Sequence, residues 1–136
     1  MLVPWHVSVP GGLDAPARAR HAAARVLNGE LSADRRADLC LLLHELVANS
    51  VVHAGADASQ TIEVEMTIGD DVVRVAVSDH GSASIPTVPS ADDDARAGGR
   101  GLRLVETLSD AWGMRREGLH GTTLWFELHR DRPAPA

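Results

Sequence analysis

The chain has 136 residues, of which 44% are hydrophobic, a length and composition typical of one globular domain. Its formal net charge is -6 and its arginines are scattered, which argues against a nucleic-acid-binding surface, because phosphate backbones are bound by clustered cations. A single cysteine excludes a disulfide framework, and no apolar stretch approaches the roughly 20 residues of a membrane span. By elimination we expect a cytoplasmic protein that contacts neither nucleic acid nor membrane directly.

The first elements in chain order are a strand and two helices. Residues Val3 to Val9 alternate weakly and end at a Pro-Gly-Gly turn, which indicates an edge strand. Asp14 is placed to cap an Ala- and Arg-rich helix that Asn28-Gly29 closes. Ser32 would cap the second helix, whose leucines recur every three or four residues and so predict one buried face.

The period then changes to the alternation of strands. Residues Thr61 to Ile68 and Val73 to Ser78 alternate apolar and polar side chains on either side of a Gly-Asp-Asp turn, which predicts an antiparallel hairpin. Asp79 continues the inward phase of the second strand, where a carboxylate without a partner is costly. It therefore either caps a nearby turn or accepts a hydrogen bond from a ligand group such as the amino group of adenine.

The hairpin is followed by a small, polar segment, residues 80–97, which is long for a loop in a compact domain and is typical of a lid. Glycines then open a third helix, and two strands follow around residues 112–116 and 122–129. The helices segregate from the strands, so we predict an α+β two-layer sandwich, in which a mixed, mostly antiparallel sheet packs against about three helices. Residues 1–130 would form a single domain, and residues 131–136 a flexible tail.

Glu45 and Asn49 form one candidate site on the second helix. They lie four residues apart, so their side chains share one side of the helix, on the flank of the leucine stripe. The amide oxygen of Asn49 suits a hard cation such as Mg²⁺, and the carboxylate of Glu45 would accept a proton from a nucleophilic hydroxyl. The alternative is a solvated polar pair beside the core.

Glycines form the other candidate sites. Those from Gly98 to Gly101 stand where a loop meets a helix, and the backbone amides of such a turn form an anion site to which Arg100 would add a charged contact. The same glycines would also serve as a plain hinge. Gly81, two residues after Asp79, would let the backbone approach a flat ligand closely.

Taken in order, these segments resemble the GHKL ATPase superfamily, and specifically its branch of anti-sigma factors and serine protein kinases, which has a histidine-kinase-like ATPase domain. The stretch from Glu45 to Ala54 is similar to that family's N box, Asp79-His80-Gly81 to its first glycine box, and Gly99-Arg100-Gly101-Leu102 to its second. Gly121-Thr122-Thr123 and the strand after it resemble the third motif. The resemblance covers about residues 14–128.

The resemblance implies ATP and Mg²⁺ as ligands and gives roles to the matching positions. Asn49 would hold Mg²⁺, and Glu45 would be the general base for a serine hydroxyl. Asp79 would bind the adenine amino group, with Gly81 beside the purine. The remaining nucleotide-binding positions would be Gly99, Arg100, Gly101 and Leu102 at the phosphates and Thr122 or Thr123 near the base.

The resemblance also implies a function and partners. We expect an ATP-binding regulatory protein with Mg²⁺-dependent serine kinase activity on an anti-anti-sigma (STAS-type) partner. The resemblance further suggests that this chain binds a sigma factor and forms a homodimer. Two alternatives remain: a nucleotide-dependent binding module without kinase activity, and a plain structural domain. Ala83, where the family often has a second glycine, and the acidic run Asp92-Asp93-Asp94 favour the binding module.

Overall fold

The computed structural model describes residues 2–54, 60–79, 99–116 and 121–130. The predicted lid and the predicted tail at residues 131–136 lie outside the described residues. In chain order the elements are β1 (Val3–Pro10), α1 (Ala15–Leu27), α2 (Ala33–Ala54), β2 (Thr61–Ile68), β3 (Val72–Asp79), α3 (Gly99–Leu108), β4 (Ala111–Arg116) and β5 (Thr122–His129). No described helix is apolar over enough of its length to cross a membrane.

The two long helices begin where the sequence places their caps, but a side chain forms only one of those caps. The Ser32 hydroxyl accepts a hydrogen bond from the backbone N–H of Arg35 at 3.2 Å. Asp14 occupies the N-cap position of α1 without making a side-chain cap. Its carboxylate instead accepts a hydrogen bond from Arg18 Nε at 2.8 Å, in an i,i+4 ion pair. Asp14 is therefore the N-cap residue that the sequence predicts, but its backbone lies in the helical region (φ -92°, ψ -3°) and its side chain does not cap the helix.

The five strands of the described residues join one sheet in the order β1-β2-β3-β5-β4, and each of the four pairings is antiparallel. The predicted α+β sandwich is confirmed, and the three helices that the structure describes form its second layer. β1 is an edge strand, as the sequence predicts, and β4 is the other edge. The strand that comes last in the chain, β5, is inserted between β3 and β4.

The core lies between the sheet and the helices. On β5, Leu124, Phe126 and Leu128 are at most 3% exposed, and the buried valines of β3 lie opposite them. α2 contributes most of the helical side of the core through its leucines, and it packs against α1, α3 and β3. Each fully buried leucine or phenylalanine contributes roughly 1.5–3 kcal/mol compared with an exposed one, so this layer supplies much of the folding free energy.

One end of the sandwich, which we call the Asp79 end, collects several element termini. Asp79 at the end of β3 pairs with Thr122 at the start of β5, and Thr122 pairs with Arg116 at the end of β4. The C-terminal half of α2 lies at the same end, because a short segment joins Ala54 to Thr61, the start of β2. The topology thus places the end of α2, from the helical layer, at the same end of the sheet as the paired residues Asp79, Thr122 and Arg116.

The opposite end, the Arg130 end, is held together by one arginine that follows β5. The Arg130 guanidinium donates hydrogen bonds to the carbonyl oxygen of Gly69, between β2 and β3, at 2.8 Å and to the carbonyl oxygen of Glu30, between α1 and α2. It also forms an ion pair with the Glu30 carboxylate at 3.2 Å. Three segments far apart in the chain are therefore joined at this end.

The face of the sheet away from the helices carries a tryptophan packed on a glycine. Trp125 on β5 pairs with Gly113 on β4, and the Arg74 guanidinium lies 4.1 Å from the centroid of the tryptophan ring. A Cβ atom on Gly113 would lie only 2.7 Å from Cζ2 of Trp125. A side chain at position 113 would therefore displace the ring from the arginine that stacks on it.

The same face carries a hydrogen-bonded cluster that holds the edge strand β1. The carboxylate of Glu63 on β2 accepts hydrogen bonds from the hydroxyls of Ser8 and Thr61 and contacts His6 Nε2 at 2.6 Å. The pKa of the Glu63 carboxyl lies below its ordinary value of 4.5, mainly because Ser8 donates to the charged form, with His6 and Thr61 acting in the same direction against partial burial. Folding therefore favours the ionised form of Glu63.

We predict that Gly113→Ala lowers the free energy of unfolding by about 1–3 kcal/mol, the usual cost of inserting a methyl group into a filled space. Urea denaturation monitored by tryptophan fluorescence measures the change. The control is the same substitution in a Trp125→Leu background, where the added methyl group meets no ring and the cost should be much smaller. An equal cost in both backgrounds would contradict the proposed clash.

A second prediction concerns pH. Glu63→Gln should lower the free energy of unfolding at neutral pH, because the pKa of Glu63 is lower in the folded chain than in the unfolded one. The wild-type advantage is fully present above the ordinary value of 4.5 and is lost as the pH falls through the lower pKa of the folded state. Urea denaturation at a series of pH values measures it, with Glu65→Gln, the next outward carboxylate on β2, as the control for lost charge. Matching pH profiles for the two variants would rule out a special role for Glu63.

Candidate functional site

The helix α2 positions Glu45 and Asn49 on the same side, one turn apart, but buries them to different extents. Glu45 is half-buried, as a residue on the flank of the core should be, whereas Asn49 is only 1% exposed. The sequence predicts the flank position for both. The difference arises because α2 is packed by α1, α3 and β3, which enclose more of its circumference than one leucine stripe indicates.

The buried amide of Asn49 is the most unusual feature of the site. Both Oδ1 and Nδ2 are shielded from solvent, and within the described part of the chain neither atom has a hydrogen-bond partner. Leaving a buried polar group unsatisfied costs about 1–3 kcal/mol, so proteins rarely keep one without a ligand or ordered water to complete it. The donor chemistry fits a hard cation, since an amide oxygen is a ligand that Mg²⁺ accepts.

Asp79 and Thr122 form the sheet side of the site. They are directly opposite each other in the β3–β5 register, and they continue the inward phase of Val77 and Leu124, so both face the helical layer. Thr122 is 6% exposed, and Asp79 is half-buried and makes contacts in the structure. A carboxylate and a hydroxyl are therefore adjacent at the Asp79 end, on the side of the sheet where α2 lies.

The structure separates Thr122 from Thr123, which the sequence leaves as equal candidates. Thr123 is opposite Ser78 in the register, and its hydroxyl is 2.8 Å from Ser78 Oγ. Successive side chains of a strand point to opposite faces, so this hydroxyl pair lies behind the sheet, away from Asp79. Thr123 is therefore wrongly placed for the predicted contact with a base, and Thr122 is the residue that faces the site.

The glycine-rich motif begins a helix directly. α3 starts at Gly99, so Gly99, Arg100, Gly101 and Leu102 form its first turn, where backbone N–H groups have no partner within the helix. Such N–H groups, with the helix dipole, are suited to an anion. The side chains of these four residues lie outside the described part of the structure, as does all of Gly81.

A hollow of about 320 Å³ lies along β1 and β2. Its lining residues are Pro4, Trp5, His6, Glu65, Met66 and Thr67. The strand register places Asp79 level with Ile62, near the start of β2, whereas the hollow lies beside the later residues of that strand. The hollow is therefore separate from the candidate site.

Arg116 is a residue at the Asp79 end that the sequence motifs do not single out. It ends β4 directly opposite Thr122, so its side chain is on the inward face of the sheet, and it is exposed. In the sequence, the inward position of Arg116 is indicated only by the alternation of Trp112 and Met114 along the strand. This alternation is too short to predict how β4 is aligned with β5. The site thus combines an amide, two carboxylates, a hydroxyl, an arginine and a helix N-terminus.

Comparison with known proteins identifies the family and the fold of the chain. A protein-family model described as a histidine kinase-like ATPase domain matches residues 9–128. The chain is also similar to a solved structure of the RsbU and RsbW domains of Rv1364c from Mycobacterium tuberculosis, at 25% sequence identity and a TM-score of 0.66. That match covers 97% of this chain and 34% of the other, so the chain spans about a third of its length. No curated protein is significantly similar to the chain.

We predict that Asn49→Leu raises the free energy of unfolding of the ligand-free chain by about 1–3 kcal/mol, because it removes a buried amide that has no partner among the described residues and keeps the number and branching of the side-chain heavy atoms. Both Asn49→Leu and Asn49→Ala should abolish Mg²⁺-dependent ATP binding while the fold stays intact. Urea denaturation and titration calorimetry measure the two effects. Ser50→Ala, at the neighbouring buried polar residue, is the control and should not be more stable than wild type. Unchanged ATP affinity in the Asn49 variants would remove Asn49 from the site.

Proposed function

Because this chain belongs to the histidine kinase-like ATPase domain family, we propose that it binds ATP with Mg²⁺ at the Asp79 end and transfers phosphate to a serine of a regulatory partner. The observation that carries the proposal is the amide of Asn49, which is buried without a hydrogen-bond partner among the described residues. A cation bound at its oxygen would satisfy this atom. The amide would thus be preorganised for a ligand at a cost in stability.

The other described residues of the site would bind the two ends of the nucleotide. The Asp79 carboxylate would accept a hydrogen bond from the adenine amino group, and the adjacent Thr122 hydroxyl would contribute a second polar contact. The N-terminus of α3 would bind phosphate oxygens through its backbone N–H groups. Mg²⁺ held at Asn49 would neutralise phosphate charge. Gly81 and Arg100 remain proposed contacts on the strength of the motifs alone.

Glu45 would supply the proton chemistry. It lies one turn before Asn49 on the same side of α2, and it is half-buried, so a hydroxyl brought to this surface could reach its carboxylate. Phosphoryl transfer depends mainly on positioning and charge neutralisation, and a carboxylate that accepts the serine proton completes the requirements. If the chain binds the nucleotide but does not transfer phosphate, it would instead act as a nucleotide-dependent binding module.

The partner follows from the resemblance of the motifs to the anti-sigma-factor and serine-kinase branch. We propose that the chain binds a STAS-type anti-anti-sigma protein, a sigma factor, or both. The STAS-type protein would be the phosphate acceptor. A homodimer through the β1 edge and a cytoplasmic location also remain proposals.

We predict that Glu45→Gln reduces phosphate transfer from labelled ATP to a purified STAS-domain protein by at least about 100-fold, the usual contribution of a general base. ATP affinity should change little, because the glutamine keeps the size of the side chain. Asp38→Asn is the matched control, since Asp38 lies two turns earlier on the same side of α2, and it should transfer phosphate like wild type. Equal transfer by Glu45→Gln and wild type would remove Glu45 as the base. ATP binding by wild type without transfer to any acceptor would favour the binding module.

A further inference from the structure

The inward face of β4 becomes progressively less covered toward its end. Trp112 is half-buried and packs against the core, Met114 is 40% exposed, and Arg116 is exposed. These three residues alternate along the strand and pair with Phe126, Leu124 and Thr122, which all face the helices. The helical layer therefore leaves the last inward position of β4 accessible, and an arginine occupies it.

The strand register sets the distance of Arg116 from the proposed base-binding residue. Arg116 is opposite Thr122, and Thr122 is opposite Asp79. Strands in a sheet are about 5 Å apart, so the Cα atoms of Arg116 and Asp79 are separated by roughly 10 Å along one row. A guanidinium on this row faces the same side as the Asp79 carboxylate and lies toward the β4 edge.

The first turn of α3 lies at the same end as Arg116. Only Ser109 and Asp110 separate α3 from β4, so the chain reverses direction and the strand runs back along the helix. The helix is about 15 Å long and the strand about 20 Å, so the start of the helix and the end of the strand are close to the same level. The phosphate-binding N–H groups proposed for Gly99 and Gly101 are therefore at the level of Arg116.

We propose that Arg116 is a further nucleotide-binding residue, which contacts the phosphate chain of ATP from the β4 side; this inference rests on the proposed function. The chain as a whole is acidic, with a net charge of -6, and the described acids of the site are Glu45 and Asp79. The triphosphate of ATP carries more negative charge than one Mg²⁺ ion at Asn49 would neutralise, and a guanidinium can donate two parallel hydrogen bonds to phosphate oxygens. Arg116 already makes an interaction in the ligand-free chain, which the phosphate would replace.

The neighbouring Arg115 provides a matched control for the test. It is also an exposed arginine on β4, but it pairs with Thr123 and so belongs to the opposite face of the sheet. A contact with the nucleotide should depend on Arg116 alone, whereas a general effect of positive charge should depend equally on both residues. Thermal unfolding of each variant confirms that it is folded before binding is measured.

Titration calorimetry with ATP and with adenosine then tests the proposal. Arg116→Ala should weaken ATP binding about 10-fold or more, as expected for loss of charged hydrogen bonds, and should leave adenosine binding unchanged. Arg116→Lys should restore part of the ATP affinity, and Arg115→Ala should bind both ligands like wild type. The inference fails if Arg116→Ala binds ATP normally, if both ligands weaken equally, or if Arg115→Ala loses as much affinity. Failure of the wild-type chain to bind either ligand would instead reject the proposed function on which the inference rests.

Discussion

The pairing of β3 with β5 is the constraint on which the rest of the molecule depends. Its register extends from Val72 opposite His129 to Asp79 opposite Thr122, without a bulge between. The inward members of this pair are the centre of the core, and they determine which residues face the helices at each end. A shift of one residue would turn Asp79 away from α2 and expose the valines, so the buried face protects the geometry of the site.

Burial in this domain has opposite consequences in its two halves. Along most of α2 and the sheet it removes apolar side chains from water and stabilises the fold. Near the end of α2 the same packing encloses the Asn49 amide, and this burial destabilises the fold. This opposition is common where binding and folding make different demands on one position, since residues that prepare a site often reduce stability. A bound ligand that satisfied the amide would stabilise the whole domain in proportion to its occupancy.

The strand periods predict most of the fold, and β5 is found at the residues that the sequence indicates, Thr122–His129. Features that depend on other elements are harder to predict. The burial of Asn49 depends on three neighbours of α2, and the choice of Thr122 over Thr123 depends on the strand phase relative to β3. Arg116 was not predicted because the alternation along β4 is too short to fix its register against β5. The motifs therefore identify residue types, whereas the register decides which of them share a face.

The position of β5 has a consequence for the synthesis of the protein. It is the fifth strand to be made but lies inside the sheet, so the ribosome must deliver nearly all of the described chain before β3 gains its second neighbour. Until then the hydrogen-bonding edge of β3 is unpaired and its valines lack the residues that cover them. Such an edge invites pairing with other strands, so a nascent or truncated chain that ends before β5 is the form most in need of chaperones.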